Sequence, residues 1–230
     1  MIRAILLDLG GPVFNEDAEY QAWTELLLEE LARAGLSVTR EEFAAVLQEE
    51  IARCEPNPWL STAWRFVRPD LTKFKTILAT FRARNREFQK ELPGVFVRPE
   101  AKEAILKLAE HYLLALAANQ PPRALELLEN DGLLTCFRWQ EVSDTMGISK
   151  PIPLFFRMIL DALGVRPEEA VMVGDRLDHD IFPARLLGMS TLRVLVGPYA
   201  QQRPLSPLHV PQREVSSLAE VFSALEGMRG

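Results

Sequence analysis

The sequence predicts an α/β protein, built on a doubly wound parallel sheet and carrying an inserted all-helical cap domain. Three observations indicate this fold. A short apolar run near the amino terminus has the length of a buried strand, helical periodicity alone fills the long segment after it, and strand-like and helix-like segments then alternate. Because a single strand cannot stand alone, the first strand is expected to join the later ones in one sheet.

The first strand is predicted at residues 4–7, directly before Asp8. Gly10, Gly11 and Pro12 follow and end the strand, since glycine and proline favour turns. Asp8 therefore lies at the carboxyl end of a strand, which is where open α/β sheets bind their ligands. Taken by itself, an aspartate before two glycines is more often a turn residue than a catalytic one.

The cap is predicted from segments that show helical spacing only. Apolar residues over 20–34 define a first helix, and Thr39 with Glu42 forms a capping box that starts a second one. The Glu-Pro-Asn-Pro run at residues 55–58 should end that helix, and we expect an irregular, aromatic-rich segment after it. Apolar residues spaced by three and four over 74–88 predict a long amphipathic helix.

A Leu-Pro-Gly turn marks the return to the core, so we expect a cap domain at 15–92 and a core domain at 1–14 and 93–230. Further strands are predicted at 112–117, 139–142, 170–173 and 191–196. Further helices are predicted at 101–109, after Pro122, and at 154–163, 180–187 and 217–225. Residues 197–215 are expected to be mostly loop, with one short edge strand.

Composition narrows the function classes. The chain has 230 residues, of which 48% are hydrophobic and 25% are charged, as is typical of a globular protein. Its net charge of -6 argues against nucleic acid as a partner, and no apolar run is long enough to span a membrane. Cys54 and Cys136 lack metal-binding spacing, so we expect free thiols in a cytoplasmic protein. We also expect no signal peptide, and either a monomer or a homodimer.

Three polar groups are predicted to meet at one edge of the sheet. Asp8 and Asp175 each follow a strand, and Lys150 opens a helix between them. Because the carboxyl ends of parallel strands share an edge, these side chains can converge. Converging carboxylates repel one another, and Mg²⁺, which takes oxygen ligands, would relieve that repulsion. A lysine alone would more often be solvated, but the order and spacing of all three groups together favour a site.

Nearly the whole chain resembles the haloacid dehalogenase (HAD) superfamily, in its helical-cap subgroup. The resemblance rests on the strand that ends at Asp8, on the cap after it, and on the two short segments Ala117-Ala118-Asn119 and Gly147-Ile148-Ser149-Lys150-Pro151. It rests further on the segment from Pro167 to Asp175, which continues through Asp180, Ile181 and Ala184 to Gly188 and Met189. It implies a Rossmann-like core, and a Mg²⁺-dependent phosphatase that acts on a small phosphorylated metabolite through an aspartyl-phosphate.

The resemblance also implies residue roles. Asp8 would be the nucleophile, and Lys150 would hold it and neutralise the phosphoryl oxygens. Mg²⁺ would be held by Asp8, Asp175, Asp180 and the backbone carbonyl of Gly10, with Asp180, and also Asp178, acting from behind the direct ligands or through a water. The substrate phosphate would contact Gly10, Gly11, Ala118, Asn119 and Lys150.

Two positions depart from the family pattern. Gly10 stands where phosphatases of the family usually carry a second aspartate, the general acid and base, whose contribution is roughly 10²–10⁴-fold. Ala118 replaces a serine or threonine that hydrogen-bonds the phosphoryl group, a loss of about 1.5–3 kcal/mol. His179 is expected to be a solvated loop residue, although it could also carry the proton that Gly10 cannot.

These departures leave two alternatives open. One is a catalytically weak or inactive binding protein that keeps the metal and anion pocket. The other is a haloacid dehalogenase, since the family's dehalogenases also lack the second aspartate. We rank dehalogenation lower because those enzymes lack the metal carboxylates, whereas Asp175 and Asp180 are present here.

Overall fold

The fold is described by a computed structural model, which covers residues 1–228. The strands are β1 (Ala4–Leu7), β2 (Phe14–Asn15), β3 (Phe96–Val97), β4 (Leu113–Leu116), β5 (Phe137–Trp139), β6 (Ala170–Gly174), β7 (Ser190–Val194) and β8 (Arg213–Val215). Six of them form one sheet in the order β5-β4-β1-β6-β7-β8, and every neighbouring pair is parallel. This confirms the predicted parallel sheet, including the short edge strand β8.

The central strand β1 is buried on both faces. Ile5 and Leu7 pack into an apolar cluster on one side of the sheet, and Ala4 and Leu6 pack into another cluster on the opposite side. Successive side chains of a strand point to opposite faces, so a strand covered on both sides must be apolar at every position. The doubly wound arrangement therefore explains why β1 is a continuous apolar run.

Helices cover both faces of this sheet. Outside the cap they are α5 (Pro99–Ala109), α6 (Arg123–Asn130), α7 (Ser143–Met146), α8 (Pro153–Leu163), α9 (Phe182–Leu186) and α10 (Val221–Glu226). Buried residues of α5, α6 and α10 belong to the first cluster, and those of α8 and α9 belong to the second. Within residues 1–228, none of the helices combines the length and the apolar character that crossing a membrane would require.

The inserted cap consists of four helices, α1 (Asp17–Arg33), α2 (Arg40–Ala52), α3 (Pro58–Val67) and α4 (Leu71–Glu91). They lie between β2 and β3, which pair as an antiparallel ribbon. The predicted capping box is present, because Thr39 accepts a hydrogen bond from the N–H of Glu42, whose carboxylate accepts one from the N–H of Thr39. The exact boundaries of a cap domain stay a prediction.

Helix α3 was not predicted, since its segment was expected to be irregular. Pro58 occupies the first turn of α3, where a proline is tolerated because that N–H has no helical partner. Trp59, Ala63 and Val67 recur every four residues and are buried in the apolar cluster of the cap. The prolines that end α2 thus also begin α3, and packing against the other cap helices stabilises it.

Two other elements differ from the prediction. The strand expected at 139–142 lies at Phe137–Trp139, because Val142 instead precedes α7 and its N–H donates to the hydroxyl of Thr145. The helix expected at 180–187 begins with a wide turn at Leu177–Ile181, followed by α9. The remaining predicted strands and helices are confirmed to within a few residues.

The cap contacts the core at several points. Tyr199 of the core packs into the apolar cluster of the cap. The guanidinium of Arg176 donates to the carbonyl of Pro56 at 3.1 Å, and the N–H of Arg203 donates to the carbonyl of Ala52 at 3.2 Å. These contacts place the cap over the carboxyl edge of the sheet, where β1, β4 and β6 end.

Candidate active site

Asp8 and Lys150 form the centre of the site. Asp8 directly follows β1, and its Oδ1 accepts a hydrogen bond from the N–H of Leu9 at 2.8 Å. Its Oδ2 lies 2.9 Å from Nζ of Lys150, and the same ammonium lies 2.6 Å from Oδ1 of Asp180. All three side chains are buried. One cation is thus shared by two carboxylates, which fixes the orientation of Asp8.

Asn119 holds the backbone of Lys150 in place. The Lys150 N–H donates to Oδ1 of Asn119 at 2.8 Å, and Nδ2 of Asn119 donates to the Lys150 carbonyl at 3.0 Å. The asparagine side chain therefore positions the lysine. The predicted contact of Asn119 with a phosphoryl group remains a prediction.

Asp8, Asp175 and Asp180 form a compact cluster of carboxylates. One ligand oxygen from each lies within 4.8 Å of the others. Burial raises the pKa of Asp8 to about 7 against the opposing effect of Lys150, and the charge of Asp180 adds to the rise. Burial and then the charge of Asp8 raise the pKa of Asp175 well above its ordinary value. A divalent cation would relieve this excess of negative charge, so the oxygen donors fit Mg²⁺.

Lys150 remains charged in this environment. Its burial opposes the charged form, but the carboxylates of Asp180 and Asp8 outweigh that effect and raise its pKa. A buried ammonium beside Asp8 can neutralise phosphoryl oxygens. The side chain therefore has the charge and the place that its predicted role requires.

Position 11 requires a glycine because the carboxylate of Asp175 lies close to its backbone. It has a φ of +83°, in the left-handed region that favours glycine, and a Cβ built on it would lie 2.7 Å from Oδ2 of Asp175. The carbonyl of Gly11 accepts a hydrogen bond from Arg98 at 2.7 Å. The turn after Asp8 is thus held from both sides, and the predicted phosphate contacts of Gly10 and Gly11 stay predictions.

Gly10 faces a carboxyl group that the sequence analysis missed. A Cβ built on Gly10 would lie 2.7 Å and 2.9 Å from the two carboxylate oxygens of Glu16. Glu16 is only 6% exposed, and it accepts hydrogen bonds from Tyr20 at 2.7 Å and from Gln120 at 2.6 Å. In the sequence it resembles an acidic residue at a helix N-terminus, so no local signal set it apart.

The placement of Ala118 differs from that of the other predicted site residues. Ala118 is fully buried within the apolar cluster of the sheet, and its carbonyl accepts a hydrogen bond from the N–H of Ser143 at 3.0 Å. Asp8, Gly10, Asn119, Lys150 and Asp175, by contrast, line one cavity. The predicted role of Ala118 in phosphate binding stays untested.

The cavity above these groups lies between the core and the cap and has a volume of about 230 Å³. Its wall on the cap side includes Glu16, Glu19, Tyr20, Trp23, Trp59, Phe81, Asn85 and Gln89. Its wall on the core side adds Gln120, Arg176, His179 and Tyr199. A small ligand in this cavity would meet the carboxylates at its floor and aromatic and amide groups above.

His179 is not the solvated loop residue that we expected. Its side chain is 13% exposed, lines the cavity, and places Nε2 3.5 Å from Oδ2 of Asp178. Burial and then the charge of Arg176 lower its pKa to about 3. Asp178 pairs with Arg176 at 2.6 Å and accepts a hydrogen bond from Gln202 at 2.7 Å. His179 is therefore neutral near pH 7 and is a poor proton donor.

Comparison with known proteins agrees with this geometry. Residues 2–188 match the family model described as haloacid dehalogenase-like hydrolase. The chain is 27% identical to a glyceraldehyde 3-phosphate phosphatase from Methanopyrus kandleri over 231 residues, which covers 98% of this chain and 97% of that enzyme. It is 38% identical to a phosphoserine phosphatase from Thermus thermophilus over 148 residues, which covers 60% of this chain and only 58% of that enzyme.

Solved structures share the fold. The crystal structure of a predicted phosphoglycolate phosphatase from Haemophilus somnus superposes with a TM-score of 0.68 at 19% identity, covering 97% of this chain and 98% of that one. At this identity the likeness concerns the fold alone. The family match over residues 2–188 shows that the chain belongs to the haloacid dehalogenase-like hydrolase family.

Proposed function

We propose that this protein is a Mg²⁺-dependent phosphatase that hydrolyses a small phosphomonoester through an aspartyl-phosphate on Asp8. The observation that carries the proposal is the buried pairing of Asp8 with Lys150 at 2.9 Å, beside the cluster completed by Asp175 and Asp180. The names of the phosphatases to which the chain is similar support the reaction class.

Each side chain has a distinct task in this mechanism. Asp8, Asp175, Asp180 and the carbonyl of Gly10 would hold the metal ion, which when bound neutralises charge and aligns the displacement. Lys150 neutralises the phosphoryl oxygens. A carboxylate oxygen of Asp8 attacks phosphorus while the bond to the leaving oxygen breaks, and water then hydrolyses the acyl-phosphate. Covalent catalysis of this kind splits one difficult displacement into two easier ones.

The size of the cavity supports a small substrate. A volume of about 230 Å³ accommodates a compact metabolite above the phosphate site. The substrates named by the similar enzymes, which are phosphoserine, glyceraldehyde 3-phosphate and phosphoglycolate, therefore form the first panel to assay. A cytoplasmic location belongs to the same proposal, and the free thiols of Cys54 and Cys136 support it.

The test compares the wild-type protein with Asp8→Asn on that panel and on 4-nitrophenyl phosphate, with and without Mg²⁺. We expect Mg²⁺-dependent phosphate release by the wild-type protein and none by the variant, because an amide of the same shape is not a nucleophile. Phosphate release that survives Asp8→Asn, or none from any substrate, would contradict the proposal. The second of these results would favour the inactive binding protein.

Haloacid dehalogenation remains a lower-ranked alternative. Its displacement occurs at carbon and has no need for the three-carboxylate cluster that Asp175 and Asp180 complete. Chloride release from 2-chloropropionate by the wild-type protein, lost in Asp8→Asn, would favour it over the phosphatase.

A further inference from the structure

We propose that Glu16 performs the proton transfers for which Gly10 has no side chain. This inference rests on the proposed phosphatase function and names a catalytic residue for it. Glu16 lies at the start of the cap, directly before α1. It lines the same cavity as Asp8.

The first argument is one of space. The three heavy atoms nearest to a Cβ built on Gly10 all belong to the Glu16 carboxyl group, at 2.7, 2.9 and 3.1 Å. A side chain at position 10 and the carboxyl group of Glu16 would therefore compete for one volume. The absence of a side chain at Gly10 leaves that volume to Glu16.

The second argument is that this carboxyl group is held in place from two sides. The hydroxyl of Tyr20, on α1, donates to Oε2 at 2.7 Å, and the amide of Gln120, from the loop after β4, donates to Oε1 at 2.6 Å. Cap and core thus each supply one donor. The proton carrier is in position only when the cap is seated on the core.

The surroundings of the carboxyl group agree with this role. Glu16 is only 6% exposed and lines the cavity together with Asp8 and Lys150. The charge of Glu16 acts on both Asp8 and Asp175. Nε2 of His179 lies 3.5 Å from Oδ2 of Asp178, so this ring faces Asp178. Glu16 is the carboxyl group that lies against Gly10, where the side chain is missing.

Glu16 acts in both steps of the proposed hydrolysis. In the first, Asp8 forms a bond to phosphorus, the bond between phosphorus and the leaving oxygen breaks, and protonated Glu16 gives its proton to that oxygen. In the second, the resulting Glu16 carboxylate takes a proton from water as the water oxygen bonds to phosphorus. The bond between phosphorus and Asp8 then breaks, which releases inorganic phosphate and restores both residues.

Glu16→Gln tests the acid step through the leaving group. The glutamine keeps the shape and an acceptor for Gln120, but it cannot exchange a proton. On the alkyl phosphate of the panel that the wild-type protein hydrolyses fastest, we expect kcat to fall roughly 10²–10⁴-fold. On 4-nitrophenyl phosphate, whose leaving group needs no proton, the variant should release a burst of nitrophenolate of about one equivalent and then turn over slowly, because the base step is lost.

The second test moves the carboxyl group from position 16 to position 10. Gly10→Asp alone should lower the alkyl phosphatase rate, because its Cβ would lie 2.7 Å from an oxygen of Glu16 and the carboxyl group of Glu16 would have to shift. Glu16→Ala alone should lose the proton transfers. The double variant Gly10→Asp with Glu16→Ala should regain much of the alkyl phosphatase activity, since Gly10 has an ordinary backbone conformation and Glu16 is its nearest obstacle.

Controls separate this inference from the proposed function. Glu29→Gln removes an exposed carboxylate of α1 that does not line the cavity, and it should leave the ratio of alkyl to aryl phosphate rates unchanged. Wild-type rates of Glu16→Gln on the alkyl phosphate, while Asp8→Asn is inactive, would overturn the role of Glu16 and leave the phosphatase intact. No difference between the wild-type protein and Asp8→Asn would overturn the phosphatase, and the role of Glu16 with it.

Discussion

At the scale of single residues, the site depends on one lysine between buried carboxylates. Lys150 lies 2.9 Å from Asp8 and 2.6 Å from Asp180, and the three residues are at most 6% exposed. A buried ion pair contributes little net stability when intact, but removing one partner leaves an uncompensated charge. Lys150 therefore orients Asp8 and also permits two acids to be buried side by side.

Replacement of this lysine should destabilise the fold as well as abolish activity. We expect Lys150→Met to lower the free energy of unfolding by about 3–5 kcal/mol, measured by urea denaturation without Mg²⁺. Adding Asp180→Asn should recover part of the loss, because it removes one of the unpaired charges. A single variant as stable as the wild-type protein would show that the ion pairs do not form in solution.

Glu19 provides a prediction about pH. Its burial, followed by the charge of Glu16, raises its pKa from 4.5 to about 8. Between these two values the folded state binds the proton more tightly than the unfolded state, so stability falls as the pH rises through that window. Glu19→Gln should weaken this decline, and its advantage in Tm over the wild-type protein should grow from pH 4.5 to pH 8. An equal pH dependence of Tm in both proteins would contradict it.

At the scale of elements, the prediction from sequence succeeded where local signals agree with tertiary packing. The capping box of Thr39 and Glu42 is visible in four consecutive residues and is present in the structure. Helix α3 was missed because the prolines before it indicate only a break, while its stability comes from contacts of Trp59 with Tyr20 and Trp23 on α1. A sequence pattern cannot show contacts between elements.

The capping box supports a direct measurement. Thr39→Ala removes the acceptor for the N–H of Glu42 at the start of α2 and should lower the free energy of unfolding by about 1 kcal/mol. Thr72→Ala, an exposed position near the start of α4 where Asp70 is the cap, is the matched control and should change little. Equal stability of both variants in urea would show that α2 is stabilised by packing alone.

At the scale of the whole molecule, the cavity exists because two packed units meet over the ends of β1, β4 and β6. The core supplies the carboxylates and the lysine, and the cap supplies aromatic rings and Glu16. Arg176 links the two units, since it pairs with Asp178, stacks on Tyr199 and donates to the carbonyl of Pro56. The cap can therefore control both access to Asp8 and the placement of the proposed proton carrier.

Metal binding should be measurable as stabilisation of the entire fold. A ligand that binds only the folded state raises its stability by about 2.7 kcal/mol at a hundred times its Kd. We expect the Tm of the wild-type protein to rise with Mg²⁺ concentration and to return when the metal is chelated. Asp175→Asn, which removes one carboxylate of the cluster, should respond much less. An equal response of both proteins would place the metal elsewhere.

The sequence by itself determined the parallel sheet, the helical insert and the order of Asp8, Lys150, Asp175 and Asp180, because each follows from local periodicity or from a short motif. It also located the missing side chain at Gly10. Only the tertiary structure decided what occupies the space beside Gly10. Glu16 occupies that space because the chain turns into the cap there and because Tyr20 and Gln120 donate hydrogen bonds to its carboxyl group. The bond from Gln120 joins segments that are far apart in the sequence, and no local sequence pattern shows such a contact.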